Sequence, residues 1–350
     1  MINKFISNIK RQLLICLQLL IITFFLQCKT HYSTMKKEHF VRQDQSKPQP
    51  IEFVKPPFLK KGDTIMIVAP AGFVSDSTEI DPGIALANSW GLEVIVGKNA
   101  FNKHNHFAGT DEERQSDLQL ALNDKKIKAI WCSRGGYGTV RIIDQLDFTA
   151  FQKNPKWIVG YSDITTLHST LHNLGFASIH ASMPGGMKRA TEEAKQTLYK
   201  ALFGYSYGLE IPTNPLNKVG NAKGILIGGN LSIVNSMIGS VSEVNLYDKI
   251  LFIEDVGEDL YRIDRMMYTL KRTGALKNLK GIIVGDFDYD VEKDTLFGGT
   301  HREIILNAVK DYNYPVLFDF PAGHIRDNSS LIFGKEIEID IKDKTSRIRY

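Results

Sequence analysis

The chain has 350 residues, 43% of them hydrophobic, and a formal net charge of +4; it holds enough apolar material for a sizeable core, and its length suits two domains of ordinary size. That composition excludes a chain disordered throughout. Three of the 43 basic residues (Lys4, Lys10, Arg11) and none of the 39 acidic ones fall in residues 1–27, and the +1 left on the rest gives no electrostatic reason to expect a nucleic-acid partner.

The first predicted element is a leader. A basic stretch precedes the apolar run Leu13–Leu26, "LLICLQLLIITFFL", which has the length of a secretory hydrophobic region and is short for a membrane-spanning helix. Cys28 follows in "FLQCKT", where a bacterial lipoprotein carries its lipidated cysteine, although Gln27 replaces the usual small residue. Residues 1–27 are expected to be a signal peptide, Cys28 a lipidation site, and the polar residues 28–55 a flexible tether. That places the protein in the cell envelope, periplasmic or lipid-anchored to the membrane; translation from Met35 would leave it in the cytoplasm. Only Cys132 lies in the body of the chain, which removes an intrachain disulfide there.

Residues 56–203 read as a first domain. A Gly-Asp turn introduces the strand Thr64–Ala69, closed by Pro70–Gly72. A helix over about Ser77–Trp90 and a strand Leu92–Val96 follow. The next helix starts at Thr110, with Glu113 three residues on as a capping box and acids in its first turn. A strand Ala129–Cys132, a helix from about Thr139, the strand Trp157–Val159 and a strand ending at His180 complete this half. Strands that are apolar throughout and alternate with helices indicate a parallel sheet covered on both faces. Right-handed crossovers then bring "PAG", "SRGGYG" and "YSD" to the carboxyl edge, where such sheets bind ligands.

Residues 204–221, rich in Gly, Asn and Pro, read as a linker. The second domain, 222–350, is expected to run strand "AKGILIGG", helix from Asn230, strand "KILFIED", helix Leu260–Thr273, strand "GIIVGDF", helix Arg302–Val309, and strands near Val316, Leu331 and Glu336–Ile341. The fold class is therefore α/β, with two domains.

Ser162, in "VGYSDIT", stands between a strand and a helix. A serine there serves as a helix N-cap, or as a nucleophile exposed on a tight bend. The glycines of "CSRGGYG" allow a close backbone approach to a ligand or simply make a sharp turn, and the loop matches neither a P-loop nor a dinucleotide fingerprint. Arg134 is either a structural ion pair or an anchor for a substrate carboxylate. His168 and His172 sit one helical turn apart, a spacing that suits a metal but lacks the glutamate of H-E-x-x-H, so core or solvated histidines are the simpler account. Among the histidines that could serve as a base, His180 ends a strand and could support a cleft, and His324 sits in a Pro/Gly loop that would position a side chain rigidly; spacing alone does not choose among them. Glu254 ends the strand "ILFIE" among several other acids, where a solvated acidic loop is the alternative.

Taken together, "GDTIMIVAPAG", "FAGTDEERQSDLQLAL", "IWCSRGGYGTVRIIDQLDF", "PKWIVGYSDITTLH", "GILIGGNLSIVNSMIGS", "ILFIEDVGEDLYRIDRMMYTLKRTG" and "FPAGHIRDN" resemble, in that order, the serine LD-carboxypeptidase family. This family includes muramoyl-tetrapeptide carboxypeptidases and microcin C self-immunity peptidases, and the resemblance spans about Pro57–Ile341. It implies an open, mostly parallel N-terminal domain, a smaller α/β C-terminal domain, an active site at their interface, and a homodimer. It further implies a triad of Ser162, Glu254 and His324, with an oxyanion hole from the amide of Asp163 and that of Gly135 or, alternatively, Gly136. The reaction implied needs neither metal nor organic cofactor. It hydrolyses the bond between the L-centre of a diamino acid and the terminal D-alanine of a murein tetrapeptide, whose free carboxylate Arg134 would contact. Two departures stand out: Ile325 occupies the place of the family's usual glycine after the histidine, and residues 204–221 hold no tryptophan, which favours the murein branch. The other readings are a peptidase cleaving peptidyl-adenylates and a non-catalytic muropeptide-binding lipoprotein.

Overall fold

Alternate residues of the apolar strand runs enter two different cores, which is why those runs show no polar face. In the computed structural model, which describes residues 52–288 and 297–350, strands β1 (Thr64–Val68), β2 (Glu93–Val96), β3 (Ile127–Cys132), β4 (Trp157–Gly160) and β5 (Ser178–His180) are all parallel. Ile65, Ile67, Trp131 and Val159 pack into one core with Ile80 and Leu198; Met66, Val68, Ile130 and Ile158 pack into the other with Leu118 and Leu167. Helices Ser77–Ser89 and Glu192–Phe203 therefore cover one face, and Asp111–Asn123 and Thr165–Asn173 the other. The expected capping box is present: Thr110 Oγ1 accepts the Glu113 amide at 3.2 Å while Glu113 Oε2 accepts the Thr110 amide at 2.8 Å.

From β1 the chain moves outward to β2 and returns to β3 on the other side of β1, so the loops after β1 and β3 diverge at a topological switch point. The crevice between them lies next to the loop after β4, which carries Ser162.

The second sheet is mixed. Strands β7 (Gly220–Asn230), β8 (Lys249–Val256), β9 (Gly281–Asp288) and β10 (Val316–Leu317) run parallel, and β12 (Glu336–Ile341), β13 (Thr345–Arg349) and β6 (Gly208–Pro212) continue the sheet antiparallel from β7. Two α/β domains, the first mostly parallel and the second mixed, are thus as expected.

Three segments differ from the sequence reading. The expected linker contains β6, an edge strand on β13, because Leu209 and Ile211 alternate onto the core while the prolines sit at its end and beyond. The last residues of the expected tether are docked: the Val54 amide donates to the Gly175 carbonyl at 2.8 Å, and the Val54 carbonyl accepts from Ala177 at 3.0 Å. Strand β11 (Leu331–Phe333), assigned by chain order to the second domain, instead pairs antiparallel with β5 and closes the edge of the first sheet. The leader, Cys28 and Met35 lie outside the described residues.

Candidate active site

Tyr161 leaves β4 in an extended conformation, and Ser162 then takes φ +64° before a short 3-10 turn and the helix Thr165–Asn173. A non-glycine residue held in the left-handed region costs on the order of 1–3 kcal/mol and persists only where the surroundings impose it. Here the turn doubles back tightly: a Cβ at Gly160 would lie 2.9 Å from the Ile164 side chain. The Ser162 hydroxyl caps neither helical segment. It donates instead to His324 Nε2 at 3.1 Å, across 162 residues of chain.

The three loops at the carboxyl edge are tied to one another. The Gly72 amide donates to the Gly135 carbonyl at 3.0 Å. The buried Arg114 donates to the carbonyls of Pro70 and Gly138 at 2.6 and 2.9 Å and pairs with Asp111. Asp163 Oδ2 accepts the Thr139 amide at 2.8 Å, which fixes the end of the glycine loop to the residue after Ser162; burial raises the Asp163 pKa, against the Thr139 hydrogen bond. The two candidate glycines separate in this frame. A Cβ at Gly135 would meet Ser162 Cβ at 2.9 Å and Oγ at 3.0 Å, with the Asp163 amide nitrogen 3.5 Å away, whereas Gly136, at φ +106°, lies against Gly72. Among the described residues no protein acceptor takes the amide of Gly135 or of Asp163.

The second domain brings the other two groups. Glu254, fully buried near the end of β8, accepts a 2.6 Å hydrogen bond from His324 Nδ1 through Oε2, and its other oxygen has no partner among the described residues. The tautomer that satisfies both bonds carries its proton on Nδ1 and leaves Nε2 free to accept from the serine. Burial pushes the imidazole pKa down, but the hydrogen bond and charge of Glu254, aided by Asp255 and Asp286, more than reverse this and leave it raised. Burial and the Glu254 charge push Asp255 up to about 7, against donors from the Val256 and Ser232 amides and Asn230.

The loop before the histidine must be narrow. Gly323 has φ +129°, and a Cβ there would lie 3.1 Å from Glu254 Oε2 and 3.2 Å from Asp286 Cβ. Asn328 Oδ1 accepts the Gly323 amide at 2.9 Å and holds the loop from its far side. Ile325 lines a separate depression with Asp286, Arg302 and Phe320, so its side chain leaves the His324 contacts intact. The domains are stitched beside this point: the Asn230 amide donates to Thr165 Oγ1 at 3.0 Å, Thr191 Oγ1 to Asp327 at 2.9 Å, and Arg326 Nε to the Arg189 carbonyl at 3.0 Å.

Ser162 and His324 open onto a cleft of about 430 Å3 that is also lined by Arg134, Gly135, Gly136, Tyr161, Glu79 and Arg189, a size in the usual range for small-molecule sites. Arg134 is half exposed, donates to the Phe73 carbonyl at 3.1 Å and stands 3.9 Å from Glu79. It therefore combines a loose ion pair with a place in the cleft. Glu79, Arg189, Asn328 and Asp286 escaped the sequence reading because nothing in their local sequence sets them apart from surface charges or loop residues.

The other three histidines considered from the sequence are buried outside the relay. His168 bonds Ser178 Oγ at 2.8 Å and the Gly160 carbonyl at 2.9 Å, and burial lowers it to about 4. Burial likewise lowers His172 to about 3, and its ring packs on Phe53. His180 is buried beneath the cleft, edge-on to Tyr161 and bonded to Asn328 at 3.3 Å.

Residues 65–181 match the family model of the LD-carboxypeptidase N-terminal domain, and residues 223–339 that of the LD-carboxypeptidase C-terminal domain. A probable murein peptide carboxypeptidase of Bacillus subtilis is 35% identical over 84% of this chain and 94% of its own length. The murein tetrapeptide carboxypeptidase of Pseudomonas aeruginosa is 28% identical over 77% of this chain and 91% of its own. The crystal structure of muramoyltetrapeptide carboxypeptidase from Oxalobacter formigenes superposes with a TM-score of 0.74 at 27% identity, covering 82% of this chain and 98% of that one. On these matches, over the two sheets whose junction holds Ser162, Glu254 and His324, the chain belongs to the LD-carboxypeptidase family.

Proposed function

We propose that this protein is a serine-type LD-carboxypeptidase that removes the terminal D-alanine from murein tetrapeptides. The observation that carries the reading is the relay of Ser162 Oγ to His324 Nε2 at 3.1 Å and His324 Nδ1 to Glu254 at 2.6 Å, opening onto a cleft. His324 takes the Ser162 proton as the oxygen attacks the scissile carbonyl, and Glu254 stabilises the imidazolium formed. The amides of Gly135 and Asp163 receive the oxyanion; losing one such donor typically costs about 100- to 1,000-fold in rate. The C–N bond breaks as His324 returns its proton to the departing D-alanine nitrogen. Water, deprotonated by the same imidazole, then releases the acyl group from Ser162.

Incubation with a tetrapeptide ending in D-alanine is expected to release free D-alanine, with a peptidyl-adenylate analogue left intact. Cleavage of the analogue alone would move the assignment to the peptidyl-adenylate class; tight muropeptide binding with no turnover would make the protein a binding lipoprotein.

The leader motivates a companion proposal: the enzyme is exported and anchored to the membrane through Cys28, and by family resemblance it is homodimeric. Mass spectrometry of the membrane fraction is expected to find an acylated N-terminal Cys28; a mature chain starting at Met35 in the soluble fraction would overturn the anchor. Sedimentation at micromolar concentration reads the dimer, and a monomer there would overturn it.

A further inference from the structure

The catalytic loops leave the carboxyl ends of the parallel strands, and the opposite edge of the first sheet has a chemistry of its own. There Lys60, Lys125, Lys128 and Lys153, with Phe58 and Asp63, line a depression of about 370 Å3. Lys60, Lys125 and Lys153 stand just before β1, β3 and β4, and Lys128 lies at the start of β3, so the common strand direction brings all of them to the amino edge. Lys55, Lys61 and Lys126, also exposed, extend the patch. None of these lysines has an ion pair among the described residues. Lys128 Nζ donates to the Lys125 carbonyl at 2.7 Å, and Lys55 Nζ stands 4.5 Å from the centre of the Phe58 ring. The carboxylates here are fewer. Asp63, Asp124 and Glu93 already accept hydrogen bonds, from the Lys60 amide at 2.7 Å, the Lys126 amide at 2.8 Å and the Thr64 hydroxyl at 3.2 Å, and Glu52 is exposed.

Aromatic rings continue the same edge. Phe58 lies against Gly204, where a Cβ would collide with its ring. Next to it Tyr205, 57% exposed, stacks on Tyr199 at 5.6 Å; Tyr199 stacks on Phe203 at 4.5 Å, and Trp90 tilts against Tyr199 at 5.5 Å. The Lys61 side chain packs on Gly91, beside Trp90. Unpaired lysines bordered by partly exposed Trp and Tyr suit a membrane–water boundary, where ammonium groups meet headgroup phosphates and amphipathic rings sit among the headgroups. Because the rings are stacked on one another, they leave few open faces for nucleic-acid bases. The chain also enters the fold here: Val54 is bonded to Gly175 and Ala177, just before β5. Ser162 lies beyond the other end of the sheet, and β3, with six residues, spans about 20 Å.

We propose that the amino edge of the first sheet docks on an anionic phospholipid bilayer, its lysines at the headgroup phosphates and Trp90 and Tyr205 at the interface. The cleft at Ser162 then faces away from the bilayer. The inference goes beyond the carboxypeptidase reading and does not depend on acylation of Cys28, since every group in it belongs to the folded chain.

The test uses residues 47–350, the compact unit that contains both matched domains and superposes on 98% of the solved relative's chain. This chain is expected to sediment with vesicles of phosphatidylcholine and phosphatidylglycerol in equal parts, to ignore phosphatidylcholine alone, and to be released by salt. Trp131 and Trp157 are buried, so a change in indole emission on binding reads Trp90. Lys60→Gln, Lys125→Gln, Lys128→Gln and Lys153→Gln together are expected to weaken binding by about 100-fold. Lys223→Gln, Lys342→Gln, Arg347→Gln and Arg349→Gln, the same loss of charge on the second sheet, should leave most of it. Should the first combination melt early, Lys153→Gln alone is expected to cost about fivefold. Equal binding to phosphatidylcholine, or equal losses in the two combinations, overturns the docking surface. So does displacement from vesicles by inorganic phosphate at fixed ionic strength, which would make the depression a site for free phosphate, or equally tight binding of duplex DNA lost in the same variant. D-alanine release from a soluble tetrapeptide, measured in parallel, tests the carboxypeptidase reading separately.

Discussion

Ser162→Ala and His324→Ala are each expected to lower kcat for D-alanine release by about 10,000-fold or more, and the double variant by little beyond either one. Groups that act through a single proton transfer lose their joint effect when either is removed. Here they are joined by one 3.1 Å hydrogen bond. Neither change should unfold the protein. Ser162 caps no helix, and alanine at φ +64° meets the same backbone strain as serine. Thermal melting alongside single-turnover kinetics provides the check. Losses that multiply in the double variant would show that the two residues work independently, and the relay would have to be abandoned.

Glu254→Gln is expected to lower kcat by about 1,000- to 10,000-fold and to move the acidic limb of the pH–rate profile. In the wild type the imidazole pKa is raised, and only the neutral ring accepts the serine proton. The profile of kcat/KM should therefore fall as pH drops through a value above the ordinary histidine pKa of about 6.5. Glutamine keeps the shape but removes the charge that opposes burial, so the limb should move to lower pH even as the rate falls. A limb that stays in place would mean that Glu254 is not what holds the histidine up. By linkage, the raised pKa adds stability that is fully present below about pH 6.5 and is lost as pH rises through the folded-state value. Proton-coupled stability and activity thus run in opposite directions with pH.

Much of this was legible in the sequence where one local signal decides the outcome. The strand Trp157–Gly160 and the cap at Thr110 are set by continuous apolar character and by an acid at the right spacing. Ser162, Glu254 and His324 are ambiguous one at a time, and only motifs in register along the chain single them out together; the structure joins them by two hydrogen bonds. What escaped depends on long-range contact. Strand β11 has three residues, too few for a pattern to say which sheet they join. Strand β6 hides between prolines and glycines because edge pairing tolerates them. Glu79 lies on a helix and Arg189 in a loop; no spacing in the chain foretells that folding places both beside the same serine.

The placement of β11 bears on how the molecule comes into being. The sixth strand of the first sheet is encoded at residues 331–333, nearly at the end of the chain and seven residues past His324. As the chain is synthesised, the domain that carries Ser162 therefore stays one strand short until His324 has also emerged. Completion of the first sheet and arrival of His324 thus come together, and until then Ser162 lacks its 3.1 Å hydrogen-bond partner. A chain cut between the two sheets would likewise leave an open edge on β5, which only the missing half could cover.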